Sequence, residues 1–128
     1  MRRVNENDIG QQVLGCALRV HKALGPGLLE NAYEACLAHE LSRAGLAFDR
    51  QPTLPVSYDG VVVDLGYRLD LLVEGLVVVE IKATDAIAVV HRAQLLSYLK
   101  LGGFRLGYLL NFNVRLLKDG IVRIANGV

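Results

Sequence analysis

The chain is predicted to fold as an α/β or α+β sandwich, with helices packed on a mixed β-sheet. Three features of its 128 residues lead there. Apolar side chains recur at helical spacing up to residue 45, the period becomes strand-like from residue 46, and a further amphipathic helix interrupts the strands. The expected order is roughly ααββββαβββ, in one domain spanning residues 1–128.

In "NENDIGQQVLGCALRVHKALG", Ile9, Val13, Cys16, Ala17, Val20 and Leu24 share one side of the first helix, with Asn7 or Asp8 as its cap. Gly25-Pro26-Gly27 breaks the chain. "LLENAYEACLAHELSRAG" is the second helix, closed by Gly45. Glu30, Tyr33, Leu37 and Leu41 fall on one stripe of it. Glu30 is thus expected on a face that must be buried, an unusual place for a carboxylate.

"LAFDRQPTLPVSYDG" carries Pro52 and Pro55, which suit an edge strand or its approaches. "VVVDLGYRLDLLVEG" and "LVVVEIKA" read as a hairpin around Glu74-Gly75. "DAIAVVHRAQLLSYLKLGG" is the third helix and "FRLGYLLNFN" the next strand. "VRLLKDGIVRIANG" is expected to be a closing hairpin that turns at Lys118-Asp119-Gly120.

Apolar residues make up 52% and charged residues 21%, the balance of a globular chain. No apolar run approaches the roughly 20 residues of a membrane span. "MRRVNENDIG" has no signal-peptide h-region, so a cytoplasmic protein without membrane contact is expected. Cys16 and Cys36 fit no metal spacing and read as free buried thiols. The mean hydropathy of +0.34 makes a homodimer a further expectation.

A net charge of +1 argues against a strongly basic nucleic-acid coat. The distribution is less even. Residues 61–90 set Arg68 and Lys82 against Asp64, Asp70, Glu74, Glu80 and Asp85, a balance of −3. Residues 91–128 set Arg92, Lys100, Arg105, Arg115, Lys118 and Arg123 against Asp119, a balance of +5. That pattern suits a metal site beside a phosphate track, and it equally suits ordinary surface variation.

The carboxylates of the expected hairpin can be placed by parity. Val78, Glu80 and Lys82 share one face of their strand, as do Arg68, Asp70 and Leu72 of the strand before. A two-residue loop at Glu74-Gly75 would pair Asp70 with Val79. A three-residue loop, with Gly75 left-handed, pairs Asp70 with Glu80 instead; that form, or a compensating bulge, is expected. Adjacent carboxylates repel unless a cation lies between them. The oxygen ligands, with no histidine or thiolate, call for magnesium or manganese, completed by a backbone carbonyl such as that of Ile81. Lys82, one pleat further on, is placed to orient a metal-bound water or to balance charge on a phosphate. Glu30 is a candidate fourth contributor, directly or through water.

"GLLENAY" at 27–33, "RLDLLVEGLVVVEIKA" at 68–83 and "HRAQLLSYLKLGG" at 91–103 resemble the bacterial GxxExxY proteins, which are assigned to the PD-(D/E)XK nuclease superfamily. The resemblance runs from about Gly10 to Gly127. It implies a restriction-endonuclease-like core, a mixed four-stranded sheet flanked by helices with the active site on a central hairpin. Asp70 matches the motif aspartate, Glu80 and Lys82 the (D/E)XK pair, and Glu30 the carboxylate of the preceding helix. Gln94 and Tyr98 resemble the Q-x-x-x-Y element of RecB-like members. Tyr33, Arg68 and His91 complete the expected substrate side, though Arg68 is equally readable as a solvated hairpin residue. The implied activity is metal-dependent hydrolysis of nucleic acid, DNA ahead of RNA. The alternative is a non-cleaving binding or accessory protein within a repair or defence assembly.

Overall fold

The computed structural model describes residues 5–64 and 67–128. Helix α1 (Glu6–Leu24) is capped by Asn5, whose side-chain oxygen accepts from the Asp8 N–H at 3.0 Å. The cap therefore precedes the expected Asn7 or Asp8, which already lie inside the first turn. A cap needs extended backbone ahead of the unpaired N–H groups, and Asn5 has it. Helix α2 (Glu30–Arg43) closes as expected, with left-handed Gly45 and a Leu46 N–H bond to the Leu41 carbonyl at 3.0 Å.

Five strands form a mixed sheet in the order β1 (Phe48–Arg50), β4 (Leu71–Val73), β5 (Val77–Lys82), β6 (Leu106–Asn111), β7 (Ile121–Ala125). Every pairing is antiparallel except β5 with β6, which α3 (Val89–Gly102) connects. A parallel pair needs such a crossover. Leu71, Val73, Val77, Val79 and Ile81 pack with α1 and α2 on one face of the sheet. Val78, Leu69 and Leu109 pack with Leu95 and Leu99 of α3 on the other. Covered on both sides, β5 is apolar almost throughout, which makes a charge on it conspicuous. At Gly107 a β-carbon would stand 3.0 Å from the Leu95 side chain, so its absence lets α3 settle onto β6.

Two expectations about the strands change. β2 (Val56–Tyr58) and β3 (Val61–Val63) pair only with each other, in a separate two-stranded sheet. The expected strand across 61–75 is thus divided between two sheets, and its residues 65 and 66 lie outside the described residues. At the C-terminus, Leu117–Gly120 is a 3-10 turn and β7 pairs with β6, so the closing hairpin does not form. The open edge of β6 takes up residues 121–125, while Leu117 turns into the core. Five strands precede α3 and two follow it, in place of four and three.

Candidate active site

The site grows from the turn between β4 and β5. Glu74 and Gly75 are both left-handed, at φ of 54° and 65°, and the Leu76 N–H returns to the Val73 carbonyl at 3.0 Å. This three-residue loop pairs Leu71 with Val79, which sets Asp70 opposite Glu80 one step further. The expected loop is the one observed. β4 ends there, because the Leu69 N–H turns away to the Pro52 carbonyl at 3.0 Å. The edge of β5 beyond Val79 is therefore free of a strand partner on that side. Asp70 fills it, accepting the Ile81 N–H at 2.7 Å. The Lys82 carbonyl faces the opposite edge, where it accepts from Phe112 N–H at 3.0 Å. Alternation along the strand then aims the Ile81 carbonyl to the side of Asp70.

Glu80 is buried, with 7% of its surface exposed, on the face of the sheet covered by α3. Burial pushes its carboxyl up to about 9, the negative charge of Asp70 adds to this, and Lys82 partly offsets it. Among the described residues its Oε1 is buried with no hydrogen-bond partner. An unpaired buried carboxylate oxygen is costly unless a cation or donor meets it. Oxygens from Asp70 and Glu80, with the Ile81 carbonyl turned toward the same edge, are the hard donors that suit magnesium or manganese. The residues present fit such an ion.

α3 lays polar groups over this pair. Gln94, exposed, and Tyr98, partly buried, lie one turn apart on α3. Burial raises the pKa of Tyr98, and the charges of Glu80 and Asp70 raise it further. Lys82 is half-buried on the same face as Glu80. Asn111, paired with Lys82 across β5 and β6, accepts the Thr84 N–H at 3.2 Å and donates to the Thr84 carbonyl at 2.9 Å. It fixes the chain just past Lys82.

Other expected residues stand elsewhere. Glu30 is exposed at the first position of α2, lining a hollow with Leu28, Leu29, Asn31 and Ala83. Among the described residues no three His, Cys, Asp or Glu side chains gather to hold a metal, so Glu30 forms no cluster with Asp70 and Glu80. The stripe of Tyr33, Leu37 and Leu41 is buried as expected, but the helix begins at Glu30, whose side chain leans back past that buried turn. Tyr33 is fully buried rather than open to substrate. Its hydroxyl donates to the Gly25 carbonyl at 2.6 Å and accepts from Leu28 N–H at 3.1 Å, and its ring stacks on Phe112. His91 uses Nδ1 to accept the Ala88 N–H at 3.0 Å, which caps α3. Arg68 is exposed beside the bridge that pairs it with Thr53.

The sequence reading passed over Glu34 and Gln51. Glu34 is buried on α2 and accepts from Arg50 at 3.0 Å and from Gln51 at 2.8 Å. The same Gln51 nitrogen lies 3.5 Å from Asp70 Oδ1, and the Gln51 N–H donates to the Asp70 carbonyl at 2.9 Å. Gln51 holds a left-handed backbone, φ 55°, an uncommon conformation for a residue with a side chain. Glu34 lies three residues before Leu37 and seven before Leu41, so helical spacing offered a signal for it.

Helices on both faces of a mixed sheet, with paired carboxylates at the open end of its central hairpin, define a restriction-endonuclease-like core. A model of the PD-(D/E)XK nuclease superfamily matches residues 7–124, and the chain belongs to that superfamily. Leu69, buried, stands before Asp70 where the superfamily's name has a proline. No curated protein and no solved structure matches the chain. Membership points to nuclease-type chemistry on nucleic acid.

Proposed function

We propose that the chain is a divalent-metal-dependent nuclease of the GxxExxY group that hydrolyses phosphodiester bonds. The observation that carries this reading is the buried, unpartnered Oε1 of Glu80 beside Asp70. When bound by Asp70, Glu80 and the Ile81 carbonyl, magnesium or manganese would polarise the scissile phosphate and acidify a water. The remaining roles belong to the chain. The Ile81 N–H keeps Asp70 aimed along the strand edge. Lys82 orients the attacking water and offsets the charge that builds on the pentavalent phosphorus. Gln94 and Tyr98, one turn apart on α3, hold a phosphate oxygen and exclude bulk water from Glu80. Arg92 and Lys100, exposed on α3, extend the phosphate path. Arg105 does not join them, since it donates twice to the Gly127 carbonyl, at 3.1 and 2.6 Å.

The test is incubation of purified protein with single-stranded, duplex and branched DNA and with RNA, in magnesium or manganese, beside Lys82→Ala. Metal-dependent cleavage that disappears in the variant supports the nuclease. Metal binding without cleavage of any substrate would point to the accessory role instead.

A further inference from the structure

The arm that rises beside the site has an unusual makeup for a nucleic-acid contact. It consists of β2 and β3, and its root is stitched to the site. There the Leu54 N–H donates to the Tyr67 carbonyl at 2.7 Å, Thr53 bridges Arg68, and the Leu69 N–H reaches the Pro52 carbonyl. Asp70 follows directly. Tyr58 and Val61, paired across this arm, are 75% and 60% exposed on one of its faces, and Val62 is 69% exposed on the other. Between Arg50 and Arg68 the sequence has no lysine or arginine, and its charges are Asp59 and Asp64. Such a wall brings no cation to duplex phosphates, the groups that supply most of non-specific duplex affinity.

At the root stands Tyr67, 42% exposed, with its ring centroid 6.0 Å from that of Tyr98 and tilted 43° to it. Tyr98 in turn packs against the cluster of Leu69, Val78 and Leu95, on the face of the sheet that carries Glu80. An open aromatic face therefore lies one ring away from the carboxylate pair. Aromatic rings of this kind hold bases that are free to leave their stack, and a paired duplex offers none.

We infer that Tyr67 is a base-stacking platform, and that the substrate of this site is a nucleic-acid strand unpaired at the nucleotide next to the scissile phosphate. This rests on the nuclease reading and deepens it. Tyr98 packs tilted against the Tyr67 ring, the arm lies along the bases, and Arg92 and Lys100 on α3 meet the backbone on the other flank. The shared chemistry is the π-face of a nucleobase, which DNA and RNA both present.

The test is fluorescence anisotropy in EDTA with a labelled oligonucleotide as single-stranded DNA, as single-stranded RNA and as duplex. The full chain is compared with Tyr67→Ala, Tyr67→Phe and Tyr67→Trp. The full chain should bind at least one single strand more tightly than the duplex. Tyr67→Ala should weaken that binding roughly 5- to 150-fold, the equivalent of about 1–3 kcal/mol for one stacked base, and change duplex binding less than about twofold. Tyr67→Phe should stay within about twofold, since the ring and not the hydroxyl stacks. In Tyr67→Trp the single tryptophan should be quenched on adding the single strand, a signal that a merely structural role would not give. Tighter binding of duplex, equal losses on both substrates, or a Tyr67→Phe loss as large as that of Tyr67→Ala would overturn the assignment while leaving the nuclease intact. Failure to bind any nucleic acid would remove both.

Discussion

Replacing Glu80 by Gln removes a buried acid while keeping its shape, and the consequence for stability is fixed by the direction of its pKa. Folding raises that pKa from 4.5 to about 9, with burial as the main cause and Asp70 as the second. Between those values the folded protein holds a proton on the pair that the unfolded chain has released. The stability that this group contributes is complete below pH about 4.5 and is lost as pH rises through 9. Each unit is worth 1.36 kcal/mol, so the metal-free protein gives up about 3 kcal/mol between pH 4.5 and 7, and about 6 kcal/mol over the whole window. Glu80→Gln cannot titrate and escapes this loss. Urea denaturation of both proteins from pH 4.5 to 8 should show the variant gaining on the parent by about 3 kcal/mol at pH 7. Added magnesium at pH 8 should raise the melting temperature of the parent and not that of the variant. A stability difference that stays flat with pH would refute the reasoning, since it would mean that Glu80 is already ionised or already matched by a donor.

Tyr33→Phe strips the hydroxyl that joins the Gly25 carbonyl to the Leu28 N–H, and thermal unfolding should show a loss of about 1–2 kcal/mol with cleavage rate unchanged. A fall in rate at full stability would return Tyr33 to the substrate side. Glu30→Gln should leave manganese affinity within about threefold, because Glu30 is exposed and outside any three-residue ligand cluster of the described residues. Asp70→Asn, measured by the same titration, should lose at least about tenfold.

Much of the carboxylate geometry was legible in the sequence because parity governs it. Asp70 and Glu80 can meet only across an odd-numbered loop, and Gly75 supplies the left-handed residue that such a loop needs. The burial of Glu80 was less legible, since "LVVVEI" marks a covered strand while the Glu80–Lys82 pair at its end reads as readily as a solvated face. Glu30 was harder. Glu30 and Glu34 both fit the helical stripe of Leu37 and Leu41, and which one is buried depends on where the helix begins, a boundary set by the loop before it. The burial of Tyr33 was legible from the stripe it shares with Leu37 and Leu41, but its partners, Gly25 and Leu28, were not, because they satisfy its hydroxyl through a turn that periodicity does not describe. Val61–Val63 has the same pattern in a separate arm as in the main sheet, since β-propensity reports a half-buried surface and not the identity of the neighbour. The closing hairpin failed on the same ground: "IVRIA" pairs with whichever edge is open, and β6 presented one.

Titration calorimetry with manganese at pH 8 tests the metal site most directly. The parent chain should bind one ion and release close to one proton, read as a heat that scales with buffer ionisation, and Asp70→Asn and Glu80→Gln should bind weakly or not at all. An absence of binding by the parent, or equal binding by all three proteins, would contradict an ion held between Asp70 and Glu80.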